Sequence, residues 1–567
     1  MELFLVTKKK AFLLCFLIVA LCYANSLPND FVFDDAAIVG SNPAIRTISP
    51  IQFLKSPYWT QQQYLGIYRP LTILSLSVDY AIWQRWAPGF RLTNLAVHAL
   101  NGFLVFLLCT SLVGEGAAPW AAMVIYLVHP VHTEAVTSLV GRSELFAACF
   151  FMLAWLLFRR GRTWWAAALF SLALLSKENA IVLPGILALD HWFFRRSAAQ
   201  VEETPEPRSS AVATLFRRYA AMVAVAFAYL LLRFSVLGSL GIPASAQYMG
   251  GHLTYVERLM TSGRVFLEYL RILLVPVNLA GDYDFNAIPI ASILNWDGWF
   301  GLSLIVALVA AALLNRHRHS AISFGILFAF IVLLPVTNWI LPISVLMAER
   351  FLYLPLIGLS LAGAAIFADI HDSRLRRLVA IGGLGAAIVL CNGHDYIRRN
   401  DFTFFRNMVR VEPNSAKARL GYGYALLQVG RNEEAAEQFE AGLRIIPDYP
   451  ELLTTLAMTK MTAKDCSQAW PLLHRALEVS PGHADTHRRM GDCYFKEGKI
   501  PEAESMYRQA LDSIPYPDSM LYFMWGRSLE DIGQTNSAIL AYRRGALIDP
   551  ENTLIKQKLA SLPGTAK

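Results

Sequence analysis

The stretch Gly423-Tyr-Ala-Leu-Leu-Gln-Val-Gly-Arg-Asn-Glu-Glu-Ala435-Ala-Glu-Gln-Phe439-Glu-Ala-Gly-Leu-Arg-Ile-Ile-Pro447 decides the fold of the C-terminal part of this chain, because its landmarks recur. Gly423 is answered by Ala457, Gly491 and, one residue late, Gly526; Ala435 by Ala469, Ala503 and Ala538; Phe439 by Leu473, Tyr507 and Tyr542. Pro413, Pro447, Pro481 and Pro515 stand 34 residues apart, and Pro550 follows after 35. Small residues at fixed places let two helices touch, a bulky residue fills the gap between them, and proline ends each unit. Such a period describes helix–turn–helix repeats that stack into a solenoid.

The pattern is that of the tetratricopeptide (TPR) repeat. About four units occupy 416–550, with 551–567 as a cap or tail, and 396–415 reads as a linker before them. A TPR superhelix offers a concave face to peptide or protein segments, and the array itself contains no catalytic constellation. Its alternative reading is a stabilising or oligomerising appendage. Cys466 and Cys493 fall within it, and in an oxidising compartment they are candidates to pair.

Upstream the chain changes character. The whole sequence of 567 residues is 55% hydrophobic and only 16% charged, well below the charged share of a soluble domain. Most of the apolar excess lies in 1–395. Apolar runs predict spans near 11–27, 92–113, 119–138, 144–158, 163–177, 179–194, 216–237, 299–315, 321–341, 350–369 and 376–393, about eleven in all. Lys8, Lys9 and Lys10 before the first run make it an uncleaved signal anchor. The basic clusters at 159–162, 195–218, 315–320 and 370–377 then share the side of those lysines, as the positive-inside rule requires. The long loop 28–91 and the repeats fall on the other side. Residues 259–276 are apolar but carry Arg264, Glu268 and Arg271; an interfacial helix with Glu268 and Arg271 paired suits them. The formal charge of +7 resides in these loop clusters, which excludes a nucleic-acid groove. The other five cysteines, Cys15, Cys22, Cys109, Cys149 and Cys391, lie in or beside apolar runs and read as small hydrophobes.

Ionisable residues near a membrane mark function, and a set of them maps to one face. Asp34 and Asp35 follow the first span; adjacent carboxylates suit a general base, or else a helix cap or solvated turn. His129, His132 and Glu134 precede Arg142 and Glu144. Their spacing suits either a metal site or a hydrogen-bonded cluster around a phosphate-binding Arg142. Lys177-Glu178 lies in a polar elbow, Ser176 to Asn179, between two short apolar runs, and Glu349-Arg350 begins another span; each pair reads equally well as an ion pair holding helix ends.

These segments, taken in order, resemble a known family. Phe31-Val-Phe-Asp-Asp-Ala36, Tyr68-Arg-Pro-Leu-Thr72, Arg91-Leu-Thr-Asn-Leu-Ala-Val-His98, His129-Pro-Val-His-Thr-Glu134, Val140-Gly-Arg-Ser-Glu144, Leu175-Ser-Lys-Glu-Asn179 and Glu349-Arg-Phe-Leu-Tyr353 look like the transmembrane and TPR-repeat-containing O-mannosyltransferases, glycosyltransferases of the GT-C fold. The resemblance covers nearly the whole chain. The shorter array departs from the animal members and points to a bacterial relative.

The resemblance implies an all-α, polytopic GT-C-like domain over 1–395, with external loop 28–91, followed by the TPR solenoid. It implies an inverting transferase that moves a sugar, mannose in the first instance, from a polyprenyl-phosphate donor to Ser or Thr hydroxyls of a protein outside the cytosol. Asp34 or Asp35 would be the base. Arg142, Lys177 and Arg350 would hold the donor phosphate. His129, His132, Glu134, Glu144, Glu178 and Glu349 would contact the sugar or support those groups. No metal or other cofactor is expected. The partners would be the lipid-linked donor, membrane lipid and an acceptor protein held by the TPR array, in a bacterial inner membrane with periplasmic repeats or an endoplasmic reticulum membrane with luminal ones. A transferase with a glycolipid acceptor and a non-enzymatic membrane scaffold are the rival readings.

Overall fold

A computed structural model describes residues 2–40, 42–46, 48–58, 66–195, 208–239, 253–283, 286–340, 343, 345–461, 465–514 and 517–562. Among them every regular element is helical. The chain divides near Val411 into two units. Residues 196–207 of one basic loop, residue 341 of one expected span, Pro515 and the tail 563–567 lie outside the described residues.

The first unit contains α1 (Glu2–Tyr23), α2 (Pro70–Trp83), α3 (Ala87–Val113), α4 (Ala117–Val128), α5 (Arg142–Arg159), α6 (Thr163–Ser176), α7 (Leu183–Asp190), α8 (Arg208–Leu237), α9 (Tyr255–Leu274), α10 (Trp296–Leu314), α11 (Ser320–Leu333), α12 (Pro355–Ala368), α13 (Ser373–Ile397) and α14 (Asp401–Val411). Four of these helices, α3, α8, α10 and α13, are long and apolar enough to cross a membrane. This is a membrane protein, but the helices are more broken than the eleven apolar runs suggest. α6, α11 and α12 are apolar helices of 14 residues each, and the run at 179–194 yields only the eight residues of α7 as α-helix. The run at 119–138 stops at Val128, because Pro130 cannot continue the helix. A 3₁₀ turn and a short helix, Thr133–Thr137, follow. That short piece then meets α5 at 105°. The breaks place polar backbone and side chains at the helix ends, where the ionisable residues lie.

Close packing in this unit uses small residues, as between helices in lipid. A Cβ on Gly301 of α10 would stand 2.0 Å from the carbonyl oxygen of Gly263 in α9. One on Gly325 of α11 would stand 2.3 Å from that of Gly358 in α12. α9 spans the segment read as interfacial, and Arg271 Nε donates to Glu268 at 2.8 Å on its half-exposed face. The stretch 396–415, read as a linker, contains α14, whose Phe404, Phe405 and Met408 are buried.

The second unit is the repeat array: α15 (Ala416–Gln428) with α16 (Asn432–Ile445), α17 (Pro450–Lys460) with α18 (Trp470–Val479), α19 (Ala484–Lys496) with α20 (Ile500–Ser513), α21 (Ser519–Asp531) with α22 (Thr535–Ile548), and a closing α23 (Thr553–Ser561). The period has a direct steric cause. A Cβ on Gly423 would lie 2.2 Å from the Phe439 ring, and one on Gly491 or Gly526 would lie 2.7 Å from Tyr507 or Tyr542. Where the bulky partner shrinks to Leu473, the small residue is Ala457, and all these partners are buried. Cys466 and Cys493 are disulfide-bonded, with Cα atoms 5.8 Å apart, inside a cluster with Ala457, Ala469, Leu473 and Met490. The other five cysteines are free and buried.

Candidate active site

The acidic pair sits on a strained turn. Phe33 has φ +56°, a left-handed conformation that is costly for a bulky residue. The turn sends the two aspartates in different directions. Asp35 is buried; its Oδ1 accepts from Leu139 N at 2.8 Å, Ser138 Oγ at 3.0 Å and Val140 N at 3.1 Å. Burial raises the pKa of Asp35, opposed by Arg91 and by those three donors. Asp34 is only half-buried, and its charge bears on Arg350 and Tyr58. Arg91 is itself buried and donates to the carbonyl oxygens of Asn29, Asp30 and Thr137, tying the first loop to the turn that Asp35 caps.

The expected neighbour pairs are exchanged for distant partners. Lys177 pairs with Glu144 rather than with Glu178, and Asn179 donates to the other oxygen of Glu144 at 3.3 Å. Glu178 receives a two-pronged contact from Arg69, at 2.7 and 3.1 Å. Arg350 pairs with Glu134 through both its guanidinium and its backbone N–H. Glu349 instead accepts from Tyr283 Oη at 2.8 Å and Gly281 N at 3.1 Å. Burial, reinforced by the nearby Glu134, pushes its carboxyl up to about 7. Glu178 moves the other way: burial would raise its pKa, but Arg69 outweighs it and the net shift is downward. Adjacent residues diverge because i and i+1 side chains do not face each other on a helical turn.

Three expected residues are taken up by the scaffold. Arg142 is fully buried, pairs with Asp79 at 2.5 Å, and donates to Asn94 Oδ1 at 2.8 Å and Phe90 O at 2.7 Å. Its guanidinium is thus engaged inside the protein, as the Lys177 ammonium is with Glu144. His129 uses both ring nitrogens locally, towards Leu273 O and Val131 N. Neither of these contacts is with Arg142. His132 is buried, with neither ring nitrogen hydrogen-bonded among the described residues, and its ring packs on Tyr353 and Tyr126 at 4.5 and 4.8 Å between centroids. Among the described residues no three His, Cys, Asp or Glu side chains assemble as a metal-binding group.

What does come together is a cationic trio, Arg69, Lys177 and Arg350. Lys177 feels the charges of both arginines, and the Tyr58 hydroxyl feels both arginines and both aspartates. Arg233, at the end of α8, joins from outside: it bears on Glu178 and donates to Gly66 O at 2.7 Å. On the Arg350 side, an apolar cavity of about 250 Å³ opens among α9, α10, α11 and the segment after α11, lined by Val265, Phe266, Tyr269, Ile305, Phe330 and Trp339. The Tyr269 hydroxyl is 3.3 Å from the backbone of Ala348, two residues before Arg350.

Comparison with known proteins agrees with this architecture. The tetratricopeptide repeat family matches residues 404–450 and 460–517. Over 96% of its length the chain is 24% identical to Protein O-mannosyl-transferase TMTC3 of Mus musculus and of Homo sapiens. It is 25% identical to Tmtc3 of Drosophila melanogaster over 86% of its length. The likeness runs along most of the chain, through both the membrane unit and the repeats. It spans 64% of the mouse and human relatives and 62% of the fly one. Among solved structures, MamA protein aligns with 33% of the chain at 18% identity and a TM-score of 0.22.

The sequence by itself did not mark Arg69, Tyr58, Arg233 or Asp79 as members of this cluster. Arg69 had a signal, since it lies in Tyr68-Arg-Pro-Leu-Thr72, one of the segments that carried the resemblance. The other three sit in no recognised segment, and only the packing of distant elements brings them to the cluster.

Proposed function

We propose that this protein is an inverting glycosyltransferase that moves a sugar, mannose by the reading of its relatives, from a polyprenyl-phosphate donor to a Ser or Thr hydroxyl of a protein on the non-cytosolic side. The observation that carries the proposal is the grouping of three cations: Lys177 and Arg350 lie over the same Phe351 ring, at 4.9 and 5.7 Å from its centroid, and Arg69 lies over Tyr58 at 5.6 Å. Cations grouped in this way suit the charge that grows on a departing phosphate. The apolar cavity beside Arg350 suits the first units of a polyprenyl chain, and the TPR array suits an acceptor protein.

Of the two aspartates, Asp34 is the better base. Asp35 spends one oxygen on three donors and anchors the loop, whereas Asp34 is half-buried and its charge bears on Arg350. In the reaction, Asp34 takes the proton from the acceptor hydroxyl as that oxygen bonds to the anomeric carbon. The bond from that carbon to the phosphate oxygen breaks, and polyprenyl phosphate leaves with the electron pair, neutralised by the trio. The reaction is written without a metal, with the chain's own cations taking the phosphate.

The test is transfer of label from radiolabelled polyprenyl-phosphate mannose to a mixture of secretory proteins by the purified full chain in detergent. A general base supplies roughly 10²–10⁴-fold, so Asp34→Asn is expected to lose about that much, while Arg69→Gln raises the donor KM and lowers kcat. Label entering lipid instead of protein would move the acceptor to a glycolipid. No donor use at all would leave the scaffold reading.

A further inference from the structure

The acidic turn is held from a helix that neither the sequence reading nor the proposed chemistry includes. The left-handed Phe33 precedes Asp34 directly. Its backbone N–H donates to Asp401 Oδ1 at 2.9 Å, and its ring packs on Phe404 and Phe405 at 5.7 and 5.8 Å between centroids. Upstream, Asp30 N donates to Arg399 O and Asn29 Nδ2 to Asp395 O, both at 2.9 Å. Downstream, Asp35 is fixed on the 138–140 turn. The acid pair is therefore suspended between two anchors, and Asp401, the first residue of α14, holds the strained one. A bulky residue stays at positive φ only where its surroundings over-determine it. The Asp401 bond and the two rings do so here. α14 is also the last element before the repeats, the first of which begins at Ala416.

We propose that Asp401 is a positioning residue for the reaction: by accepting the Phe33 N–H it sets the turn that aims Asp34 at the acceptor hydroxyl. The role rests on the transferase reading given above. Asp401 touches neither donor nor acceptor, so its removal disturbs orientation and leaves donor affinity alone. Misplacement of a reacting group by about 1 Å is enough to cost on the order of 10² in rate.

The experiment uses the full chain in detergent, as wild type, Asp401→Ala and Asp401→Asn, with two readouts. One is hydrogen–deuterium exchange of the peptide containing Phe33; the other is mannosyl transfer from radiolabelled dolichyl-phosphate mannose. Asp401→Ala is expected to speed exchange at Phe33 by about tenfold or more and to lower kcat by roughly 10–100-fold, with donor KM within about twofold. Asp401→Asn is expected to restore both, since its amide oxygen accepts the same bond. Protection at Phe33 that survives Asp401→Ala overturns the proposal, as does an unchanged kcat once protection is lost, or an Asn variant no better than Ala. An inactive wild type sinks the transferase reading; in that case the exchange readout alone decides whether Asp401 holds the turn.

Discussion

The two units use the same kind of ion pair to opposite effect. In the membrane unit, Lys177–Glu144 is 1% exposed on both sides and Arg142–Asp79 is 0% and 7% exposed. In the repeat array, Arg475 pairs with Glu478 at 2.9 Å and Asp448 at 2.8 Å, all three being half-exposed or more. A solvated pair gains little, because water and salt screen it and two long side chains lose freedom. A buried pair has already paid the desolvation of both charges, so removing one partner strands the other. The array is held by its repeating apolar contacts and decorated with charge, whereas the membrane unit is locked by a few charges that cannot be removed singly.

The largest effect should come from breaking a buried pair. Lys177→Met leaves Glu144 uncompensated, and we expect it to lower stability by about 3–5 kcal/mol, read as a lower unfolding midpoint in detergent. Adding Glu144→Leu to that variant should recover most of the loss; if it does not, the pair is more than a matched couple of charges. A second test uses pH. Because burial and Glu134 raise the Glu349 pKa to about 7, the folded state binds this proton more tightly than the unfolded chain does. The associated stability is therefore full below the ordinary carboxyl range and is lost as pH rises through about 7, by at most roughly 3 kcal/mol at 1.36 kcal/mol per unit. Unfolding midpoints measured from pH 5 to pH 8 should fall, and Glu349→Gln should flatten that part of the profile. The smallest effect belongs to the array: Arg475→Ala should change stability by about 0–1 kcal/mol in thermal unfolding. A loss of several kcal/mol there would erase the contrast between the units.

The repeats were legible because their cause is local and recurs. Gly423 facing Phe439, Ala457 facing Leu473 and Gly491 facing Tyr507 each solve the same steric problem, so four solutions in register betray the fold. The acids and most of the cations of the candidate site were also visible, since ionisable residues beside apolar runs stand out. Their pairing was not. Lys177-Glu178 and Glu349-Arg350 invite pairing by adjacency, yet each residue turns to a partner brought from far along the chain. The pairing of Cys466 with Cys493 was visible only as a possibility of compartment chemistry; their approach in the core between α18 and α19 makes the bond available.

Composition and periodicity by themselves determined that this is a helical membrane protein ending in a TPR solenoid, because both follow from hydropathy and short-range spacing. Tertiary structure alone decided which residues share the site. It withdrew Arg142 into a buried bond with Asp79, brought Arg69 and Tyr58 beside Arg350 and Lys177, and tied Phe33 to Asp401 across more than 360 positions of sequence. The physical reason is range: a hydrogen bond or an ion pair acts over a few ångströms of space, and no local pattern in a sequence records which distant segments folding will bring that close.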